Sequence, residues 1–232
     1  MLNQKKHREI LFNILRKIYS SSVGKDLGFK GGTMLYFFYD LDRFSVDLDF
    51  DLLNQEKEQE VFDEIGRLLK DFGEIKDQFI KRKTIFFLLS YEDGQANIKV
   101  EISRTGGEIN KYEIKNFYGI DVKTQVIEDS FANKLVASLD RKKTANRDFY
   151  DIEFIFRKGF AFNEKIIENR TRKKSKDFLV GLIEFLNNYK PVRGWVEGLG
   201  ELVDEEKKKT IKNNLKKDLI GQIEFYLDSN KK

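Results

Sequence analysis

Two short segments hold the residues whose types and spacing could do chemistry: Lys30-Gly31-Gly32-Thr33, and Arg43-Phe44-Ser45-Val46-Asp47-Leu48-Asp49-Phe50. Paired glycines let the backbone approach a ligand closely, and a helix beginning there aims free N–H groups at an anion. Asp47 and Asp49 stand two apart, so on a strand they project from one face. Carboxylates so placed repel unless a cation joins them, and hard oxygen ligands favour Mg²⁺ or Mn²⁺. A phosphate cradle facing such a pair is what phosphoryl or nucleotidyl transfer requires, because the metal bridges phosphate oxygens and activates the attacking hydroxyl. Alone, Asp-x-Asp is commonly a solvated strand face and Gly-Gly a turn. Their meaning comes from the order strand, Gly-Gly-Thr, helix, loop, strand.

Composition closes off other chemistries. The 232 residues include no cysteine, which removes thiol nucleophiles and Cys-ligated zinc, and the single histidine, His7, cannot build a His metal cluster. Any Ser-His-Asp triad would depend on that residue. The balance of 43 Lys+Arg against 39 Asp+Glu leaves +4, so nucleic-acid binding must come from local patches. Hydrophobic residues at 40% suffice for a core. The apolar runs Met34 to Tyr39 and Ile85 to Leu89 are too short to span a membrane, and the N-terminus reads as a charged amphipathic segment, not a signal peptide. A cytoplasmic protein is expected, and the Asn169-Arg170-Thr171 sequon is then a chance match.

The elements that must position these residues follow from periodicity. Ile10, Leu11, Ile14, Leu15 and Ile18 predict a helix over 4–20; Leu27 to Lys30 reads as a short strand, and Met34 to Tyr39 as a short helix. Residues 44–52 alternate, with Val46, Leu48, Phe50 and Leu52 facing one way and Ser45, Asp47, Asp49 and Asp51 the other. A charged helix is expected over 55–71, then strands at 83–91 and 96–103 joined by Glu92-Asp93-Gly94. After Gly119 comes a short extended piece, then mostly helix through 228, with a soft boundary near 127 between an α/β core (1–126) and a helical C-terminal region (127–232).

At this point the chain resembles the AbiEii/AbiGii-type nucleotidyltransferase toxins of the polymerase-β-like superfamily. The two segments above look like that family's signature. Phe131-Ala132-Asn133-Lys134-Leu135-Val136-Ala137, then Arg141 and Arg147-Asp148-Phe149-Tyr150-Asp151, are similar to its Ala-x-Lys-x-x-Ala helix and Arg-Asp-x-Tyr-Asp motif. The resemblance covers roughly residues 28–155. It departs in having Gly32-Thr33 for Gly-Ser, which keeps a hydroxyl, and Glu101 in place of an expected aspartate.

The resemblance implies an α+β fold with a nucleotidyltransferase-type mixed sheet flanked by helices, and a helical C-terminal region completing the active site. It further implies a metal-dependent toxin of a type IV toxin–antitoxin or abortive-infection (phage-defence) system, moving a nucleotide from an NTP to RNA, with tRNA 3′-ends as acceptor, under control of an antitoxin. Catalytic candidates are Asp47, Asp49, Glu101, Lys134 and Asp148; the metal falls to Asp47, Asp49 and Glu101, and nucleotide binding to Gly31, Gly32, Thr33, Arg43, Ser45 and Lys134. Alternatives stay open. Lys134 neutralises a triphosphate or snorkels from a core helix; Glu101 acts or is a solvated edge residue; Arg43 contacts nucleotide or clamps the loop. Asp151 serves the site or pairs with Arg147 or Arg141, and Asp51 is a possible supporting group. Basic clusters at Arg141-Lys142-Lys143, 170–176 and Lys207-Lys208-Lys209 are RNA-binding or solvated, the last at salt-bridging distance from Asp204-Glu205-Glu206. Trp195 is core or a stacking platform. A small-molecule or protein-modifying nucleotidyltransferase, or an inactive NTP-binding module, would use the same residues.

Overall fold

The computed structural model describes residues 2–94, 97–106, 109–140 and 145–230. The chain divides into two compact units, Met1–Asp40 with Phe44–Val126, and Leu41–Arg43 with Ile127–Lys232.

The first unit is α+β. Its strands β1 (Leu27–Lys30), β2 (Leu48–Leu52), β3 (Glu74–Lys81), β4 (Thr84–Ser90), β5 (Ile98–Ser103), β6 (Tyr112–Phe117) and β7 (Ile120–Gln125) form one mixed sheet in the order β3-β4-β5-β2-β1-β7-β6. The pairs β1/β7 and β2/β5 are parallel; the remaining neighbours are antiparallel. Register partners share a face. Leu48 pairs with Val100 and Phe50 with Ile102, while Val100 and Ile102 also pair with Phe87 and Ile85, and all six are fully buried. Helices α1 (Gln4–Tyr19) and α3 (Glu58–Leu69) add Leu11, Ile14, Leu15, Ile18, Val61, Ile65 and Leu69 to the core. Each such side chain contributes about 1.5–3 kcal/mol by leaving water. The opposite face carries the polar partners Lys30, Asp49 and Glu101.

Several expectations need correction. The strand predicted over 44–52 begins only at Leu48. The preceding carbonyls of Val46 and Asp47 are taken by the side chains of His7 and Thr33, not by a ladder, and Ser45 is buried where alternation would expose it. Strand β3 escapes a periodicity reading because it is an edge strand, polar through Lys76-Asp77-Gln78 and without alternation of burial. Strand β6 is likewise a mostly exposed edge strand; its hairpin to β7 turns at Tyr118 and Gly119, both at positive φ, without the Asn-Gly or Asp-Gly signal. Helix α2 (Gly31–Phe38) starts at the glycines themselves, ahead of Met34.

The second unit contains α4 (Ile127–Asp140), α5 (Asn146–Arg157), α6 (Glu164–Thr171), α7 (Ser175–Asn188) and α8 (Glu205–Ser229). Helix α5 packs on α4 and α8, and α7 on α6 and α8. Asp204 caps α8 by accepting the Lys207 N–H at 2.8 Å. Trp195 lies edge-on to Phe149 and Tyr189. Lys208 pairs with Glu205 at 2.6 Å, whereas the Lys207 ammonium donates to the Asp42 carbonyl at 2.6 Å. The basic cluster Arg141-Lys142-Lys143 lies outside the described residues.

Candidate active site

In the first unit the double glycine opens α2 directly from β1. Gly31 has φ +81°, and a Cβ there would lie 2.3 Å from Asp49 Oδ2. Both the dihedral and the close approach therefore demand glycine. The register sets this closeness, since Lys30 is opposite Asp49 in the antiparallel β1/β2 pair. No side chain caps the first turn of α2, whose leading N–H groups lack intrahelical acceptors. An aspartate and a helix N-terminus thus share one small region.

Thr33 and Ser45 are buried behind it. Thr33 Oγ1 lies 2.9 Å from Ser45 Oγ and hydrogen-bonds the Asp47 carbonyl oxygen. One residue earlier, His7 Nε2 stands 2.9 Å from the Val46 carbonyl, and Nδ1 2.9 Å from the Tyr91 hydroxyl. A carbonyl only accepts, so Nε2 carries the proton and Nδ1 accepts from Tyr91 in the neutral ring. Burial pulls the His7 pKa below its ordinary value, against the opposing pull of the Val46 carbonyl and the Asp47 charge. As a sequence feature His7 matters only for the triad it cannot complete; its place on the buried stripe of α1 is the one signal of this supporting role.

Asp47 is partly exposed, accepts the Lys99 N–H at 3.2 Å, and has the Lys99 ammonium 3.9 Å away. Asp49 and Glu101 are register partners on the parallel pair β2/β5. Glu101 is exposed, with Thr84 Oγ1 at 3.3 Å. Among the described residues no three acidic or histidine side chains stand close enough to hold a metal ion, so Asp47, Asp49 and Glu101 are not a preassembled three-ligand cluster. The donor set of Asp47 and Asp49 still fits a small hard cation. Mg²⁺ is held by one or two carboxylates together with substrate phosphates and water, and the missing Cβ of Gly31 leaves the Asp49 carboxylate directly against the backbone at the start of α2.

Asp51, on the same face, is fully buried. It pairs with Lys30 at 2.6 Å and accepts from the Tyr112 hydroxyl at 2.7 Å and Asn110 Nδ2 at 3.0 Å. Gly106 lets it sit there, because a Cβ would meet Asp51 Oδ1 at 2.0 Å, and Gly28 makes room for the Tyr112 ring in the same way. Asp51 therefore anchors the lysine that precedes the double glycine. Sequence reasoning misses Lys30, Asn110 and Tyr112 in this role, because nothing local joins residues 30, 51 and 112.

The second unit holds its own charged cluster. Arg43 is 5% exposed and clasps Asp151 with both prongs of its fork, Nε to Oδ1 at 2.6 Å and Nη2 to Oδ2 at 2.7 Å. Lys134 adds its ammonium to Asp151 Oδ2 at 2.6 Å. Burial alone would raise the Asp151 carboxyl, but the two cations and their hydrogen bonds hold it at about 2. Burial likewise opposes the Arg43 charge, and Asp151 overrides that, with Asp148 and Tyr150 adding to the pull. Asp151 thus pairs with Arg43 and Lys134, not with Arg147. Asp148 is buried within the electrostatic reach of Arg43, and Tyr150 donates to Asp42 at 2.7 Å.

The fold has counterparts among solved structures. A candidate nucleotidyltransferase from H. pylori is similar over 99% of this chain and 97% of its own, at 20% identity and TM-score 0.62. JHP933 from Helicobacter pylori matches over the same shares at 19% identity and TM-score 0.58. An antigenic nucleotidyltransferase-like protein from Paracoccidioides brasiliensis matches over 84% of this chain and 94% of its own, at 13% identity and TM-score 0.52. A search of the curated proteins finds no match. The particular family follows from the sequence itself: the model of the nucleotidyl transferase AbiEii toxin, Type IV TA system, matches residues 13–225, and the chain belongs to that family. It is a nucleotidyltransferase toxin of a type IV toxin–antitoxin system. Among the described residues no helix is long and apolar enough to cross a membrane.

Proposed function

We propose that this toxin transfers a nucleotide from an NTP to the 3′-hydroxyl of an RNA acceptor, tRNA foremost, in a reaction dependent on Mg²⁺ or Mn²⁺. The closeness of Asp49 to Gly31 is the observation that carries this reading, because it sets an acidic ligand against a helix N-terminus suited to phosphate. Asp47 and Asp49 would hold the divalent cation, which would supply positive charge at the phosphates and make the attacking hydroxyl easier to ionise. The amides of Gly31 and Gly32 would orient the phosphates, and Glu101 would receive the proton of the acceptor hydroxyl as its oxygen bonds to the α-phosphorus and pyrophosphate leaves. Thr33, Ser45 and Arg43, all buried, would position the motif. Blocking tRNA ends would arrest growth, the outcome expected of abortive infection, until an antitoxin intervenes.

Incubation with labelled NTPs and total RNA, beside protein and aminoglycoside acceptors, tests the reading. Label on tRNA that requires a divalent cation and disappears in Asp47→Ala supports it. Label confined to protein or drug removes the RNA acceptor, and no label on any acceptor removes the transferase mechanism.

A further inference from the structure

One row of register partners crosses five strands of the first unit. Lys30 pairs with Asp49, Asp49 with Glu101, Glu101 with Phe86, and Phe86 with Phe79. Register partners share a face, so the carboxylates and the two aromatic rings lie on one surface, opposite the buried Phe87 and Ile85. With strands about 4.8 Å apart, Phe86 stands one strand from Glu101 and roughly 10 Å from Asp49. The rings of Phe79 and Phe86 are stacked, with centroids 4.9 Å apart and planes at 17°. Both are only partly buried, unlike the core aromatics of the other face.

Their surroundings are cationic toward one end. The Lys81 ammonium lies 4.0 Å from the centre of the Phe79 ring, and Lys81, Arg82 and Lys83 are all exposed across the tip of the β3/β4 hairpin. Arg104 braces that tip by donating from Nη1 to the Lys81 carbonyl at 2.8 Å and from its backbone to the Lys83 carbonyl at 3.0 Å. The next row of the sheet carries Asp77, Leu88 and the exposed Lys99, one charge of each sign, whereas the turn carries three adjacent cations. Partly exposed stacked rings flanked by exposed cations match one chemistry, a single-stranded nucleic acid whose bases stack while its phosphates meet lysine and arginine.

We infer that Phe79 and Phe86, with the Lys81-Arg82-Lys83 turn, form a base-stacking platform for the single-stranded end of the acceptor, leading it along the row toward Glu101 and Asp49. This rests on the reading of the protein as a nucleotidyltransferase acting on RNA. It adds the surface that would receive the strand. Charge complementarity argues for this occupant over an apolar peptide, which three adjacent exposed cations would not favour.

The test measures binding separately from transfer. A 5′-labelled single-stranded RNA oligonucleotide with a free 3′-hydroxyl is titrated against the full chain by fluorescence anisotropy at several salt concentrations. Phe79→Leu and Phe86→Leu each keep apolar bulk without the π face, and should weaken binding roughly ten- to a hundredfold, the range of base–aromatic stacking. Phe86→Trp should restore it. The triple variant Lys81→Ala/Arg82→Ala/Lys83→Ala, whose residues are exposed and peripheral to the core, should flatten the dependence of log affinity on log salt, by about 0.7 for each phosphate no longer neutralised. Circular dichroism verifies that each variant folds. A wild type that fails to bind the oligonucleotide, or leucine and triple variants that bind as wild type does, would overturn the platform. The two readings fail separately. Oligonucleotide bound on these residues with no nucleotide ever transferred would end the transferase mechanism and leave the platform standing. Transfer to RNA with the variants indifferent would do the reverse.

Discussion

Asp49 lies against Gly31 so tightly that a methyl group on residue 31 would come within 2.3 Å of the Asp49 Oδ2. Gly31→Ala would also place alanine at φ +81°, a conformation costing about 1–2 kcal/mol for an L-residue. The expected result is a lower unfolding midpoint with an almost complete loss of nucleotide transfer. Thermal unfolding and a labelled-NTP assay read the two effects separately. Transfer at the wild-type rate would show that the close approach of Asp49 to Gly31 is not needed.

Asp47→Ala should lower metal-dependent transfer roughly a hundredfold or more, since a catalytic cation contributes several kcal/mol of transition-state stabilisation. The side chain is partly exposed, so the fold should survive. Growth arrest on expression should vanish with the activity. A variant as toxic as wild type would separate toxicity from this chemistry.

Asp151→Ala would leave Arg43 buried and Lys134 without its counter-charge. Breaking a buried pair in this way costs about 3–5 kcal/mol, to be measured by denaturant unfolding. The wild-type pH profile has a fixed sign. The folded carboxyl sits at about 2, below its ordinary 3.8, so its contribution is complete above 3.8 and drains away as pH falls toward 2. The stability gap between wild type and Asp151→Ala should therefore narrow over that window.

His7 gives a second pH dependence. Burial holds its pKa below 6.5, so the unfolded chain takes the proton first and stability declines as pH falls beneath 6.5. His7→Gln can keep a donor to the Val46 carbonyl without titrating. Melting curves at a series of pH values should show wild type losing stability on acidification where the variant does not, and parallel curves would refute the assignment.

Thr33→Val removes the hydroxyl that meets Ser45 and the Asp47 carbonyl. Losing the partner of a buried carbonyl costs about 1–3 kcal/mol, and the backbone carrying Asp47 should lose its fixed position. Thr33→Ser should recover both stability and transfer, and a Thr33→Val protein as active and stable as wild type would remove this support from the Asp strand.

Much is legible in the sequence because short-range physics decides it. Alternation puts Leu48 and Phe50 inward and Asp49 outward, helical spacing finds α1 and α3, and the order of the Gly-Gly-Thr and Asp-x-Asp segments, with the Lys134 and Arg147–Asp151 motifs, carries the resemblance to the family. What one-dimensional periodicity does not supply is pairing across long sequence gaps. The edge strands β3 and β6 have no buried stripe to reveal them, and the expected strand over residues 44–47 gives way to side chains from distant elements. The choice of Arg43 and Lys134 as partners of Asp151, of Lys30 for Asp51, and of Phe86 as the neighbour of Glu101 depends on strand order and helix packing. Local sequence sets which side chains leave water; only the folded chain decides which charges and rings then meet, because that choice minimises the cost of desolvating them together.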